Sequence, residues 1–171
     1  MRKVKLFISC SLDGFIARQD GEIDWLFTDD DYGYQAFYDS VDTTLMGNKT
    51  YEQLISFGDF PYKEKKNYVF TRQFDLESTE WMTFITEDMV AFTKALKKYA
   101  GKDIWLIGGG AIINILYQAG LIDEYILAIN PIILGSGIPL FPGPIGEQKL
   151  KLLDTKTYPS GLVQITYGKD G

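Results

Sequence analysis

Short apolar runs alternate with stripes of helical period along the chain, and this alternation restricts the fold more than any other feature. The runs "VKLFISCS" (4–11), "TTLMG" (43–47), "NYVFTR" (67–72), "TFIT" (83–86), "DIWLIG" (103–108) and "EYILAINPIIL" (124–134) have the length and composition of strands. Helical stripes fall between them. Strands joined through helices run parallel, so the pattern predicts an α/β fold with a mostly parallel central sheet and helices on both faces. Near the end, "KLKLLDTKTY" (149–158) and "LVQITYGK" (162–169) flank "PSG" and predict an antiparallel hairpin on one edge of that sheet. No repeat, low-complexity tract or linker interrupts the 171 residues, which suit one domain spanning 1–171.

The helical segments carry their own start and stop signals. In "DDDYGYQAFYDS" (29–40), Tyr34, Phe37 and Tyr38 share a face behind three aspartates suited to a helix N-terminus. "KTYEQLISFG" (49–58) aligns Tyr51, Leu54 and Ile55 and stops at Gly58. In "TEDMVAFTKALKKYAG" (86–101), Thr86 is expected to cap the helix, with Phe92, Ala95, Leu96 and Tyr99 as its buried stripe.

There is no histidine in the chain and a single cysteine, Cys10. That removes histidine-based triads, histidine-ligated zinc and the commonest general base, and no metal site is expected. Cys10 sits in an apolar run and reads as a small core hydrophobe. Hydride transfer needs no histidine, because a cofactor carries the difficult chemistry. A net charge of −6 argues against nucleic-acid or anionic-membrane partners. The apolar run of "MRKVKLFISCSLDG" is too short and broken for a secretion signal, and a cytoplasmic location is expected.

Three consecutive glycines, Gly108, Gly109 and Gly110, join the strand "DIWLI" to the helix "AIINIL". Gly47 stands at a second strand–helix junction, "LMGNKT". In open α/β sheets ligands bind beyond the carboxyl ends of the strands, where the first N–H groups of each following helix are free for an anion. One such junction reads best as a tight turn; two of them leave a phosphate-bearing ligand and plain tight turns as alternatives of equal weight. Neither matches a familiar nucleotide motif: "GGGAII" lacks the third glycine of G-x-G-x-x-G, and "GNKT" lacks the upstream glycine of a P-loop.

Six motifs in register, "SLDGFIA" (11–17), "LMGNKTYE" (45–52), "VFTR" (69–72), "IGGGAI" (107–112), "DEY" (123–125) and "PIILGSGIPLF" (131–141), resemble the dihydrofolate reductase-like superfamily. The branch they resemble most is the C-terminal reductase domain of bifunctional riboflavin-biosynthesis deaminase–reductases, over about residues 3–168. With no histidine in the chain, the zinc deaminase half of those proteins is not expected here. The resemblance implies an NADPH-dependent reductase. In it, Gly47, Asn48, Lys49 and Thr50 hold the cofactor phosphates, and Thr71 and Arg72 hold the adenosine 2′-phosphate. Gly108, Gly109, Gly110, Ala111 and Ile112 run against the pyrophosphate and nicotinamide, with a cis bond between the first two glycines. Ile16 and Ala17 also contact the cofactor. The chain departs from the family at Asn48, where arginine is frequent, which leaves Lys49 and Arg72 as the phosphate cations.

On the substrate side, dihydrofolate reductases keep a pocket acid on the first helix, sixteen residues before the phosphate-loop glycine. That count gives Asp31, which is either this acid or a helix-start aspartate. Asp13 either contacts substrate or shapes the turn after the first strand. Trp25 and Tyr34 either wall a heteroaromatic ring or pack in the core. The resemblance implies a pterin- or pyrimidine-like substrate, with 5-amino-6-(5-phosphoribosylamino)uracil as the riboflavin-pathway example. A nucleotide-binding protein without turnover is the alternative. The apolar "PIILGSGIPLF" and the edge offered by the final hairpin suggest a homodimer, as in the riboflavin-pathway relatives; the alternative is that the apolar stretch folds back onto its own sheet.

Overall fold

The computed structural model describes residues 1–170. In chain order its elements are β1 (Val4–Ser11), β2 (Phe15–Ala17), α1 (Tyr34–Asp39), β3 (Val41–Gly47), α2 (Asn48–Ser56), β4 (Lys66–Phe70) and β5 (Met82–Ile85). These are followed by α3 (Met89–Leu96), β6 (Asp103–Gly108), α4 (Gly110–Gln118), β7 (Glu124–Asn130), β8 (Ile138–Pro139), β9 (Leu150–Thr157) and β10 (Val163–Lys169). Eight strands form one sheet in the order β5-β4-β3-β6-β1-β7-β10-β9, and β2 with β8 forms a small second sheet. From β5 to β7 every pairing is parallel, while β10 pairs antiparallel with both β7 and β9. The mostly parallel sheet with a C-terminal hairpin at its edge is as the sequence predicts.

Side-chain alternation divides the core. On β6, Leu106 faces the cluster containing Ile113 and Leu116 of α4 and Leu96 of α3. Its neighbours Trp105 and Ile107 face the opposite side, with Phe37 and Tyr38 of α1. Met46 and Val69 extend that second face beneath Tyr51 and Leu54 of α2. Helices therefore cover both faces, and the central strands read as continuous apolar runs because both their sides are buried. Among the described residues no helix is long and apolar enough to cross a membrane.

Three element boundaries differ from expectation. Helix α3 starts at Met89 rather than near Thr86, because the Asp88 carboxylate caps it by accepting from the Ala91 N–H at 2.8 Å. Its buried residues are Thr93 and Leu96; of the expected stripe Phe92 is half-buried, while Ala95 and, beyond the helix end, Tyr99 are exposed. Strand β7 ends at Asn130, where Pro131 cannot donate to the ladder. Helix α1 is only six residues long, with Tyr32 and Gly33 in left-handed conformation before it. In addition, Ile55 of α2 is exposed.

The stretch 131–141 folds back onto its own chain. Pro139 and Ile138 pair with Phe15 and Ala17, the Leu140 N–H donates to the Gly14 carbonyl, and the Leu140 side chain is buried.

Candidate active site

A cleft of about 1600 Å³ opens along the carboxyl ends of the central strands. Ligand pockets for one drug-sized molecule run about 300–1000 Å³, so this cleft has room for a dinucleotide and a second, smaller molecule. Strands β3 and β6 lie side by side in the sheet, and their following helices leave on opposite faces, α2 on one and α4 on the other. The two helix N-termini consequently meet at the sheet edge. Neither has a side chain capping it, which leaves N–H groups of Asn48, Lys49, Gly110 and Ala111 available to an anion.

The glycines permit that meeting. A Cβ on Gly47 would lie 3.0 Å from Ile112 Cγ1, and one on Gly110 would lie 3.0 Å from the Pro139 carbonyl oxygen. A Cβ on Gly109 would meet only Thr50 Oγ1, at 3.4 Å, so the α2 and α4 junctions nearly touch there. Gly108 has φ +131, a conformation that side chains rarely adopt, and is joined to Gly109 by a cis peptide. Of the glycine triplet, Gly109 and Gly110 line the cleft, whereas Gly108 is buried beneath them. Gly108 shapes the backbone at the junction, and of the three glycines expected against the cofactor it is the one that does not line the cleft. The chain's own packing accounts for bare backbone at Gly47 and Gly110.

The remaining residues expected around the cofactor line this cleft: Ile16, Ala17, Asn48, Lys49, Thr50, Thr71, Arg72, Ala111 and Ile112. Thr71 is anchored at the end of β4 by its N–H, which donates to the Ile85 carbonyl at 3.0 Å. Arg72 and Lys49 are exposed, and neither takes part in an ion pair among the described residues. Asn48 spends its amide on Glu52 Oε1, one helical turn on.

The opposite side of the cleft is aromatic. Tyr34 lines it as expected, together with Phe7, Tyr62, Trp105 and Ile107. The rings brace one another: Tyr62 and Tyr34 approach Trp105 edge-on at 5.1 and 6.0 Å between centroids. The Trp105 Nε1–H donates to the Phe7 carbonyl at 3.0 Å. Burial pushes both phenols upward in pKa, and the two influence each other, so they stay protonated and able to donate at neutral pH. Phe7, Trp105 and Ile107 were legible from strand parity, since they share a face opposite Leu6 and Leu106. Tyr62 comes from a loop with no periodic signal.

Three expected substrate residues lie elsewhere. Asp31 is exposed and outside the cleft; its carboxylate accepts from the Gln35 N–H at 3.2 Å at the start of α1, the helix-start role. The left-handed turn at Tyr32–Gly33 separates Asp31 from the helix face that meets the cleft. Trp25 is buried in packing and does not line the cleft. Asp13 accepts from the Leu134 and Gly135 N–H groups at 3.1 and 2.8 Å and from the Ser11 hydroxyl at 2.6 Å. It clamps the 131–139 connection to the end of β1. Cys10 lines a separate hollow, and burial pushes its thiol up to about 11, which leaves it unreactive at neutral pH.

The sequence profile of the RibD C-terminal domain matches residues 2–164. The uncharacterised Bacillus subtilis protein YwjB is 44% identical over 170 residues, covering 97% of each chain. Among solved structures, a Shewanella protein assigned to riboflavin biosynthesis superposes with a TM-score of 0.86 at 27% identity, over 99% of both chains. Dihydrofolate reductase from Enterococcus faecalis, solved with NADP(H), superposes with a TM-score of 0.73 at 16% identity, covering 99% of this chain and 97% of that one. The last of these shows a shared fold alone.

Proposed function

From the chain's membership of the RibD C-terminal domain family, we propose that it is an NADPH-dependent reductase of a small heteroaromatic, pterin- or pyrimidine-like ring. The observation that carries this reading is the pair of uncapped helix N-termini meeting at Gly47 and Gly109, with Lys49 and Arg72 beside them and in no ion pair among the described residues.

These residues fit a dinucleotide. The α2 and α4 amides suit the pyrophosphate, and the bare backbone at Gly109 and Gly110 leaves room for it. Arg72 and Thr71, at the end of β4, suit a ribose 2′-phosphate through a bidentate fork and a hydroxyl. NADPH, when bound, supplies the hydride. The chain's own task is then to seat the acceptor ring against Trp105, Phe7 and Ile107 and to keep bulk water from the reacting face. Tyr34 and Tyr62 present protonated hydroxyls on that side, able to hydrogen-bond a ring heteroatom.

The test is NADPH oxidation, followed by absorbance, across a panel of pterins, pyrimidines and quinones. Turnover of a planar ring compound is expected. Tight NADPH binding without oxidation of any member would favour the non-catalytic nucleotide-binding alternative, which gains from the position of Asp31 outside the cleft.

A further inference from the structure

The distribution of charge around the cleft narrows what the aromatic side can hold. Of the cations, only Lys49 and Arg72 line the cleft among the described residues, both at the phosphate-binding junctions of α2 and β4. Cations in the neighbouring segments are committed elsewhere. Arg18, just after β2, grips Asp24 with two contacts of 2.6 and 3.1 Å. Lys65 donates to the Tyr38 and Val41 carbonyls at 2.9 and 2.7 Å and lies 4.1 Å over the Tyr38 ring. Lys63 stands 4.3 Å over the Trp81 ring.

What lines the aromatic side is uncharged, apart from the exposed Asp20 on the loop above it. A phosphate or carboxylate seated there would lose hydration with no cation to replace it, and would also feel a like charge.

Resting on the division of the cleft into a nucleotide side and a ring side, we infer that the ring side selects an uncharged, planar substrate and discriminates against phosphorylated or carboxylated ones. The substrate class is therefore a neutral ring compound, in contrast to the phosphoribosylamino pyrimidine of the riboflavin pathway. Ile23 and Leu26, on the loop that roofs this side, are the positions where a single added cation would change the preference.

The experiment is titration calorimetry with two matched pairs: pterin against pterin-6-carboxylate, and 5-amino-6-ribosylaminouracil against its ribose 5-phosphate. Each is run with and without saturating NADP+. In both pairs the neutral member is expected to bind at least about tenfold more tightly to the NADP+-loaded protein. Ile23→Lys, with Leu26→Lys as the second variant should the first fail to fold, is expected to raise affinity for the anionic members at least about fivefold.

Equal or tighter binding of either anionic member by the unmodified protein overturns the inference. So does failure to bind either neutral ring, or indifference of the folded lysine variants to charge. NADP+ binding is read separately in the same series. Its absence would overturn the cofactor reading, while the pairs titrated into cofactor-free protein would still decide the ring preference.

Discussion

At the residue scale, charge and bare backbone divide the work of the cleft. Arg72 contributes a guanidinium with no ion pair among the described residues, so its removal leaves little else disturbed. Arg72→Ala is expected to cost about 1.5–3 kcal/mol of NADPH binding, the range for a charge-assisted hydrogen bond, and to leave NADH affinity nearly unchanged. Calorimetry on the two cofactors checks this.

Two neighbouring glycines should separate binding from folding. At Gly109 an added methyl meets only Thr50 Oγ1 at ordinary contact distance, yet it projects where the two helix N-termini converge. At Gly110 it would press on the Pro139 carbonyl. Gly109→Ala is expected to keep its thermal midpoint and lose at least about tenfold in NADPH affinity. Gly110→Ala should lose about 1–3 kcal/mol of stability through overpacking, read by urea unfolding.

Asp13 belongs to the fold. The Ser11 hydroxyl holds its carboxyl below the usual aspartate range; burial opposes this, and the Gly135 and Leu134 amides add smaller contributions in the lowering direction. A depressed native pKa gives stability that is present above about pH 4 and lost as pH falls through the native value. Asp13→Asn should therefore unfold more readily at pH 7 and show a weaker loss of stability between pH 5 and pH 3. An unchanged acid limb in urea melts would count against the clamp.

At the scale of elements, the chain's periodicity carried most of the information. Strands β1, β3, β4 and β6 lie where their apolar runs place them, because a strand buried on both faces needs a run that only a few segments supply, and the β9–β10 hairpin lies where its two runs flank the "PSG" turn. Helix ends were less legible. Whether Thr86 or Asp88 caps α3 depends on which side chain reaches back to a free N–H, and both residue types cap well. Asp31 shows the same limit at the site: a sequence count places it near the first helix, while the left-handed turn at Tyr32–Gly33 turns it outward. The phosphate-side residues were legible because motif and strand end coincide. Tyr62 was not, because a loop residue reaches its place through tertiary packing alone.

Element packing narrows the expected self-association surface to its hairpin edge. The 131–141 stretch is partly consumed by pairing with β2, whereas β9 is an outer strand exposed throughout, with Leu150, Leu152 and Leu153 open to solvent. An exposed apolar edge strand invites pairing with another chain. We propose that β9 forms a homodimer contact. Sedimentation at micromolar concentration should give a dimer mass, and Leu152→Glu a monomer. A monomeric unmodified protein would refute the proposal.

At the scale of the whole molecule, the cleft forms where helices that follow neighbouring strands, α2 after β3 and α4 after β6, leave the sheet on opposite faces. The β3–α2 and β6–α4 junctions meet because their strands are neighbours in the sheet, although about sixty residues separate them in sequence. Bound nucleotide would bridge the α2 and α4 layers, so NADPH at about 100 times its dissociation constant should add about 2.7 kcal/mol of stability.

The central claim is that Gly47–Thr50, Thr71, Arg72 and Gly109–Ile112 together hold NADPH. The most direct test is calorimetric titration of NADPH and NADH into the unmodified protein. One NADPH per chain is expected, bound at least about tenfold more tightly than NADH, a difference of about 1.4 kcal/mol. Equal affinities for the two cofactors, or no saturable binding up to millimolar concentration, would contradict the claim.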